Sequence, residues 1–119
     1  MIDYEEFCGL GFKEDASNIA SLELKKLLDT NAPLYLIDVR QPIEYSQGHL
    51  NAKNIPLDEL QSELSKLPND KQIVFYCKSG ARSAKALKLA KSAGFKQAQD
   101  LSGGILKYRE SFDLDIKIL

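Results

Sequence analysis

A chain of 119 residues fits one domain around one hydrophobic core, since domains typically run to about 100–200 residues. Sixteen Lys and Arg against seventeen Asp and Glu leave a net charge of −1, so no overall field draws the chain to nucleic acid or an anionic membrane, and any positive site must be local. Hydrophobic residues at 44% and charged ones at 28% suit a folded globular domain and are too apolar for a disordered chain. No apolar run approaches the roughly 18 residues of a membrane span. The acidic start Met1-Ile2-Asp3-Tyr4-Glu5-Glu6 lacks the basic flank of a signal peptide, so the sequence reads as cytoplasmic. Two cysteines, Cys8 and Cys77, build no disulfide framework, and with a single histidine they cannot supply a four-ligand zinc site. A Cys8–Cys77 bridge is formally open, but a cytosolic chain with its own core does not need one.

Residues 1–18 mix aromatics, acids and the turn formers Gly9, Gly11 and Asn18 without a helical or strand period; they read as an arm or linker, leaving 19–119 as the domain. Ser21 then caps a short helix whose Leu24, Leu27 and Leu28 share one face, ended by Asp29-Thr30-Asn31-Ala32-Pro33. Leu34-Tyr35-Leu36-Ile37 is a short apolar strand. Pro42 opens a helical turn over Ile43 to Gln47 that Gly48 stops, and Asn54-Ile55-Pro56 resumes an extended path. Leu57, Leu60, Leu64 and Leu67 form one stripe on a helix ended by Pro68-Asn69-Asp70. Ile73-Val74-Phe75-Tyr76 has no alternation, the pattern of a strand covered on both faces. A helix from about Ser83 to Ala93 turns Lys85, Lys88 and Lys91 to solvent and Leu87, Leu89 and Ala90 inward, with Gly94 as its cap. Gln97 to Leu101 is a further strand, Ser102-Gly103-Gly104 a tight turn, and Ile105 to Glu110 a last helix. The tail Phe112 to Leu119 alternates Leu114, Ile116 and Ile118 with charges and reads either as an edge strand or as a docking segment. Strands alternating with helices predict an α/β fold around a largely parallel sheet.

Such a sheet places its sites at the carboxyl ends of its strands, where Cys77 stands. Cys77-Lys78-Ser79-Gly80-Ala81-Arg82-Ser83 is then a short loop running into a helix. Inward-pointing amides, the positive end of the helix and the charges of Lys78 and Arg82 all favour thiolate over thiol, which marks Cys77 as a nucleophile. Gly80 allows a positive φ or a close approach to a bound group. A free cysteine ending a core strand is otherwise an ordinary small hydrophobe, but a core does not require Gly80, Arg82 and Ser83 at these offsets.

These residues, together with Leu36-Ile37-Asp38-Val39-Arg40, Pro42, Glu44 and Tyr45, Gly48-His49-Leu50, Asn54-Ile55-Pro56 and Leu101-Ser102-Gly103-Gly104-Ile105, resemble the rhodanese-like family of sulfurtransferases from about Ser21 to Tyr108. The resemblance implies a three-layer fold, with a central, largely parallel sheet flanked by helices. It also implies that Cys77 carries sulfane sulfur as a persulfide, with Lys78, Ser79, Gly80, Ala81, Arg82 and Ser83 around the bound group. Asp38 and Arg82 look like the family's pair that orders the loop, and Arg40 shares that site-ordering role or else forms a surface ion pair with Glu44. No metal or organic cofactor is needed. The sulfur donor would be thiosulfate or a desulfurase persulfide. Ile2-Asp3-Tyr4-Glu5-Glu6-Phe7-Cys8-Gly9 looks like the segment that joins an adenylyltransferase domain to a C-terminal rhodanese domain in enzymes acting on ubiquitin-like sulfur carriers, which makes such a carrier a candidate acceptor.

Related phosphatases and arsenate reductases separate Cys and Arg by five residues, a wider cradle for a tetrahedral oxyanion, whereas four separate Cys77 from Arg82. A catalytically silent module that docks an acidic partner in the same cradle is the other alternative. Gly48 to Pro56 is one residue shorter than the family's usual Gly-His-Ile-x-Gly-Ala-x-Asn-Ile-Pro, which puts Asn51 in the place of a left-handed glycine. His49 reads as a turn histidine bonded to backbone rather than as a general base. Cys8, flanked by Phe7, Gly9 and Leu10, reads as part of a packed arm.

Overall fold

The computed structural model describes residues 17–119, so the arm around Cys8 lies outside the described residues. Five strands, all parallel, lie in the order β1-β5-β4-β2-β3, comprising β1 (Asn18–Ile19), β2 (Leu34–Asp38), β3 (Lys53–Asn54), β4 (Gln72–Tyr76) and β5 (Gln99–Leu101). The helices are α1 (Ser21–Asp29), α2 (Pro42–Gln47), α3 (Leu57–Glu63), α4 (Ala81–Ser92) and α5 (Gly104–Phe112), with a 3-10 turn at Leu64–Lys66. Asn18, which the sequence pattern assigns to the arm, pairs with Asp100 at the sheet edge.

Burial is continuous along β4, where Ile73, Val74, Phe75 and Tyr76 are all buried, which is why the strand reads as apolar throughout: both its faces are covered. Ile73, Phe75 and Cys77 pack with Ile37 and Val39 against Leu60 and Leu64 of the α3 side and Ala86, Leu87 and Ala90 of α4. Val74 and Tyr76 pack with Leu36 and Leu101 against Leu24 of α1 and Ile105 and Tyr108 of α5. This is the three-layer α/β arrangement, with the helices divided between two faces of one sheet.

Several boundaries differ from the sequence reading for local reasons. Ala20, not Ser21, is the N-cap of α1, because the Glu23 side chain accepts from the Ala20 amide at 3.3 Å and closes the first turn one residue earlier. The leucine stripe is continuous in burial, yet the α-helix stops at Glu63 and Leu64 begins the 3-10 turn. In α4, Ala86 joins Leu87 and Ala90 inside while Leu89 is only partly buried; Lys91 is half-buried, its Nζ donating to the Lys96 carbonyl at 3.1 Å. Ala93 is the cap and Gly94 follows it with φ +104°. The tail is neither strand nor helix after Phe112; Arg109 donates to the Ile116 carbonyl at 3.1 Å, and Ile116 and Ile118 lie on the α1/α5 core. Gly48 makes this seat possible, since a Cβ there would meet the Lys117 carbonyl oxygen at 2.2 Å.

Candidate active site

The chain leaves β4 at Tyr76 and turns at once into α4, so Cys77 is only 1% exposed at the carboxyl end of the most enclosed strand. Gly80 takes φ +127°, a conformation L side chains rarely adopt, and its amide donates to Cys77 Sγ at 3.1 Å. The Ser83 amide, in the first turn of α4, donates to the same sulfur at 3.4 Å. Two orphan N–H groups at a helix start thus converge on one sulfur, the arrangement that stabilises negative charge there. Gly80 is placed as the sequence suggests; of the loop amides, those of Gly80 and Ser83 hold the sulfur. Lys78 is half-buried, and Ser79 and Ala81 are exposed on the outer side of the loop.

The base of the loop is fixed by the opposite layer. Ile105 donates to the Cys77 carbonyl at 2.9 Å and Leu106 to the Lys78 carbonyl at 3.1 Å, so the free amides of the α5 N-terminus are spent on the loop's backbone. Gly104 (φ +64°) permits this contact: a Cβ there would lie 2.4 Å from the Lys78 carbonyl oxygen and 2.7 Å from that of Cys77. The Gly103-Gly104 motif is therefore a requirement of the active-site loop as much as of its own turn.

The charged residues pair differently from the expectation. Arg82 does not meet Asp38; its guanidinium makes a two-pronged contact with Glu44 at 2.6 and 3.0 Å. The pair raises Arg82 further through that hydrogen bond and holds the Glu44 carboxyl below the usual carboxylate range. Asp38 instead binds Arg40, whose Nε reaches both carboxylate oxygens at 3.0 and 3.1 Å and whose Nη2 reaches Oδ2 at 2.7 Å. The proposed Arg40–Glu44 surface pair is thus corrected too: both side chains of the Asp38–Arg40 pair are fully buried. Burial alone would pull Arg40 down, but the Asp38 hydrogen bond and charge outweigh it. Arg40 also donates to the Gly48 carbonyl at 2.7 Å and sits 5.9 Å from the centre of the Tyr76 ring. Burial and the Asp38 charge push the Tyr76 phenol far up, so it stays a neutral partner that accepts from the Leu50 amide at 3.1 Å.

His49 is the turn histidine anticipated: it is exposed, stacks on Tyr45 at 3.8 Å and bonds the Leu50 carbonyl through Nδ1 at 2.6 Å. Asn51 does not take the left-handed role, since among described non-glycine residues only Asn31 and Asp113 have positive φ; the shorter loop closes without it. Asn54 does more than its place in the motif suggests, donating to the carbonyls of Asp38 and Arg40, both at 3.0 Å, and so fixing the strand end. The buried Asp100 carries no role in the sequence reading, and Glu44 carries only that of a surface partner for Arg40. A groove of about 1040 Å³ between Pro68–Ile73 and Gly94–Gln99 lies at the amino ends of β4 and β5, away from Cys77. Among the described residues no group of His, Cys, Asp or Glu could hold a metal ion, and no helix is long and apolar enough to cross a membrane.

The sequence pattern of the Rhodanese-like domain family matches residues 21–111. The chain is 41% identical over 124 aligned positions to a protein of Mycobacterium tuberculosis named probable adenylyltransferase/sulfurtransferase MoeZ, covering 98% of this chain and 32% of that protein. It is 32% identical to a sulfurtransferase of Allochromatium vinosum, covering 77% of this chain and 87% of that protein. Among solved structures it resembles a rhodanese-related protein of Thermoplasma volcanium (TM-score 0.72, 30% identity, 79% of this chain and 91% of that one). It also resembles the human single-domain sulfurtransferase TSTD1 (TM-score 0.72, 29% identity, 85% and 99% covered). The chain spans about a third of the Mycobacterium relative.

Proposed function

The chain belongs to the rhodanese-like domain family, and we propose that it is a sulfurtransferase whose Cys77 takes sulfane sulfur as a persulfide and passes it to a nucleophilic or sulfur-carrier acceptor. The observation that carries this reading is the convergence of the Gly80 and Ser83 amides, at 3.1 and 3.4 Å, on a nearly buried cysteine sulfur. A binding module has no use for donors aimed at a thiol inside its own wall.

In the first half-reaction the Cys77 thiolate attacks the sulfane sulfur of the donor. A sulfur–sulfur bond forms to Cys77, the donor's own bond to that sulfur breaks, and the leaving group departs with the electron pair, as sulfite when the donor is thiosulfate. The amides from Lys78 to Ser83 hold the negative charge of the persulfide. In the second half-reaction an acceptor nucleophile attacks the outer sulfur and the Cys77 thiolate leaves. Neither half needs a metal or organic cofactor. Because Arg82 is spent on Glu44, Lys78 is the cation of the loop that this pair leaves for an anionic donor. A desulfurase persulfide is the second donor class.

The acceptor we assign is the adenylated C-terminus of a ubiquitin-like sulfur carrier, with an adenylyltransferase domain as the working partner; with this electrophilic acceptor the outer persulfide sulfur attacks the acyl carbonyl and AMP leaves, and two equivalents of an external thiol reduce the resulting acyl disulfide to the carrier thiocarboxylate and free Cys77, leaving as a disulfide. The support is the 41% identity to a protein named for both activities.

Sulfur transfer from thiosulfate to cyanide, measured beside hydrolysis of an aryl phosphate and reduction of arsenate, separates the readings. Wild-type turnover in the first assay, abolished in Cys77→Ser and unchanged in Cys8→Ser, is expected; turnover of phosphate or arsenate alone would replace sulfur chemistry with oxyanion chemistry. A Cys77 that turns nothing over and resists alkylation would leave the silent docking module.

A further inference from the structure

Beneath the loop, on the side away from solvent, Cys77 has a neighbour that the chemistry above does not use. Ser83 is fully buried and its Oγ faces two acceptors, the Gly80 carbonyl at 3.1 Å and Asp100 Oδ2 at 3.3 Å, as well as Cys77 Sγ, whose thiol donates to it at 3.7 Å. A hydroxyl has one proton to give. Asp100 lies on β5, is 6% exposed, and is held from its other oxygen by the Asn18 side-chain amide at 2.6 Å. The carboxylate therefore cannot turn away from Ser83 without losing Asn18, and a buried carboxylate draws the stronger hydrogen bond from a hydroxyl than a neutral thiol does.

We propose that Asp100 is a positioning residue of Cys77: with the Gly80 carbonyl it keeps the Ser83 proton, so that Ser83 Oγ faces the sulfur as an acceptor. An acceptor at that place suits a thiol, which can donate to it, and opposes a thiolate, which cannot. Two sets of contacts then pull on one sulfur in opposite directions. The Gly80 and Ser83 amides favour the charged form from the loop side, and the Asp100–Ser83 pair resists it from the sheet side. In the persulfide the charge moves to the outer sulfur, away from Ser83 and toward the loop amides. The inference rests on the reading of Cys77 as the sulfur-carrying nucleophile, but it concerns the resting thiol.

Replacing Asp100 by Asn keeps an oxygen for Asn18 and presents an N–H to Ser83, which removes the carboxylate's hold and leaves the hydroxyl proton shared between the Gly80 carbonyl and the sulfur. The rate of Cys77 alkylation by iodoacetamide at pH 7, read by peptide mass, should rise about two- to tenfold in Asp100→Asn, the range of one redirected hydrogen bond. The ultraviolet thiolate absorbance, taken as the difference from the matching Cys77→Ser protein, should rise with it. Asp100→Ala, which leaves Ser83 only Gly80 and Cys77, should behave the same way. In a Ser83→Ala background the Asp100 substitution should have no further effect, because the route through the hydroxyl is gone. Ser83→Thr, which keeps the hydroxyl, should restore the sensitivity. An equal rise with and without Ser83 would mean that loosening of the fold or direct charge is responsible, and a fall in Asp100→Asn would make Asp100 an aid to thiolate formation; either overturns the proposal. Alkylation needs no sulfur donor, so these outcomes are independent of whether thiosulfate loads Cys77.

Discussion

Two guanidinium–carboxylate pairs stand at the carboxyl end of the same sheet and have opposite characters. Asp38–Arg40 is closed off entirely, two residues apart in sequence, with a third contact from Arg40 to the Gly48 carbonyl. Arg82–Glu44 joins residues 38 apart, with the Arg82 side chain 33% and the Glu44 side chain 17% exposed. The first is a buried ion pair, whose removal of one partner strands a charge in a low dielectric. The second lies at the mouth of the loop, where water screens it and a substrate can compete for it. The difference teaches that the same two residue types, a few ångströms apart, divide between holding the strand end and tuning the entrance.

The contrast is broken most severely at Arg40. Arg40→Met leaves Asp38 buried without its partner and should cost about 3–5 kcal/mol, read as a lower denaturation midpoint in urea with an unchanged slope. A loss under about 1 kcal/mol would mean that the pair is solvated in solution. Arg82→Ala should act on chemistry instead. Losing the two-pronged contact that ties the start of α4 to α2 should loosen the loop and lower sulfur transfer about tenfold, while the urea midpoint moves little. An equally large loss of stability would erase the distinction between the two pairs.

The smallest effect is expected at Glu44. Glu44→Gln should cost less than about 1 kcal/mol at neutral pH, because the pair is partly exposed. Its pH dependence follows from the sign of the shift. Glu44 is held below its unfolded value of about 4.3, so its contribution is complete above that value and disappears as pH falls through the lower native one. Wild type and Glu44→Gln should therefore differ in stability at pH 7 and converge in acid. A difference that grows in acid would show that Glu44 is not held by Arg82.

How much of this was legible in the sequence follows from the range of each interaction. The strand, loop and helix around Cys77 are contiguous from Gln72 to Ser92, so the burial of Ile73 to Tyr76, the need for Gly80 and the place of Ser83 could be read locally. The two pairs could not. Arg82 finds Glu44 across 38 residues, where α2 meets the start of α4, and no period in the chain records that; Asp38 and Arg40 are neighbours in sequence, but their pairing depends on a burial that no local pattern shows. A fully buried arginine runs against the ordinary preference of its type, which is why Arg40 read equally well as a surface residue. Asn18–Ile19 and Lys53–Asn54 are strands of two residues each, too short for alternation to show. Gly104 was legible as a turn glycine, while its contact with the Lys78 carbonyl oxygen depends on α5 meeting the loop across the sheet.

Acceptance of sulfane sulfur by Cys77 can be read from intact-protein mass. Wild type and Cys77→Ser are weighed before and after thiosulfate or a low-molecular-weight persulfide, then again after a thiol reductant. A gain of one sulfur atom is expected in the wild type, removed by the reductant and absent from Cys77→Ser. No gain from either donor while Cys77 still alkylates readily, or a gain that persists in Cys77→Ser, would contradict it.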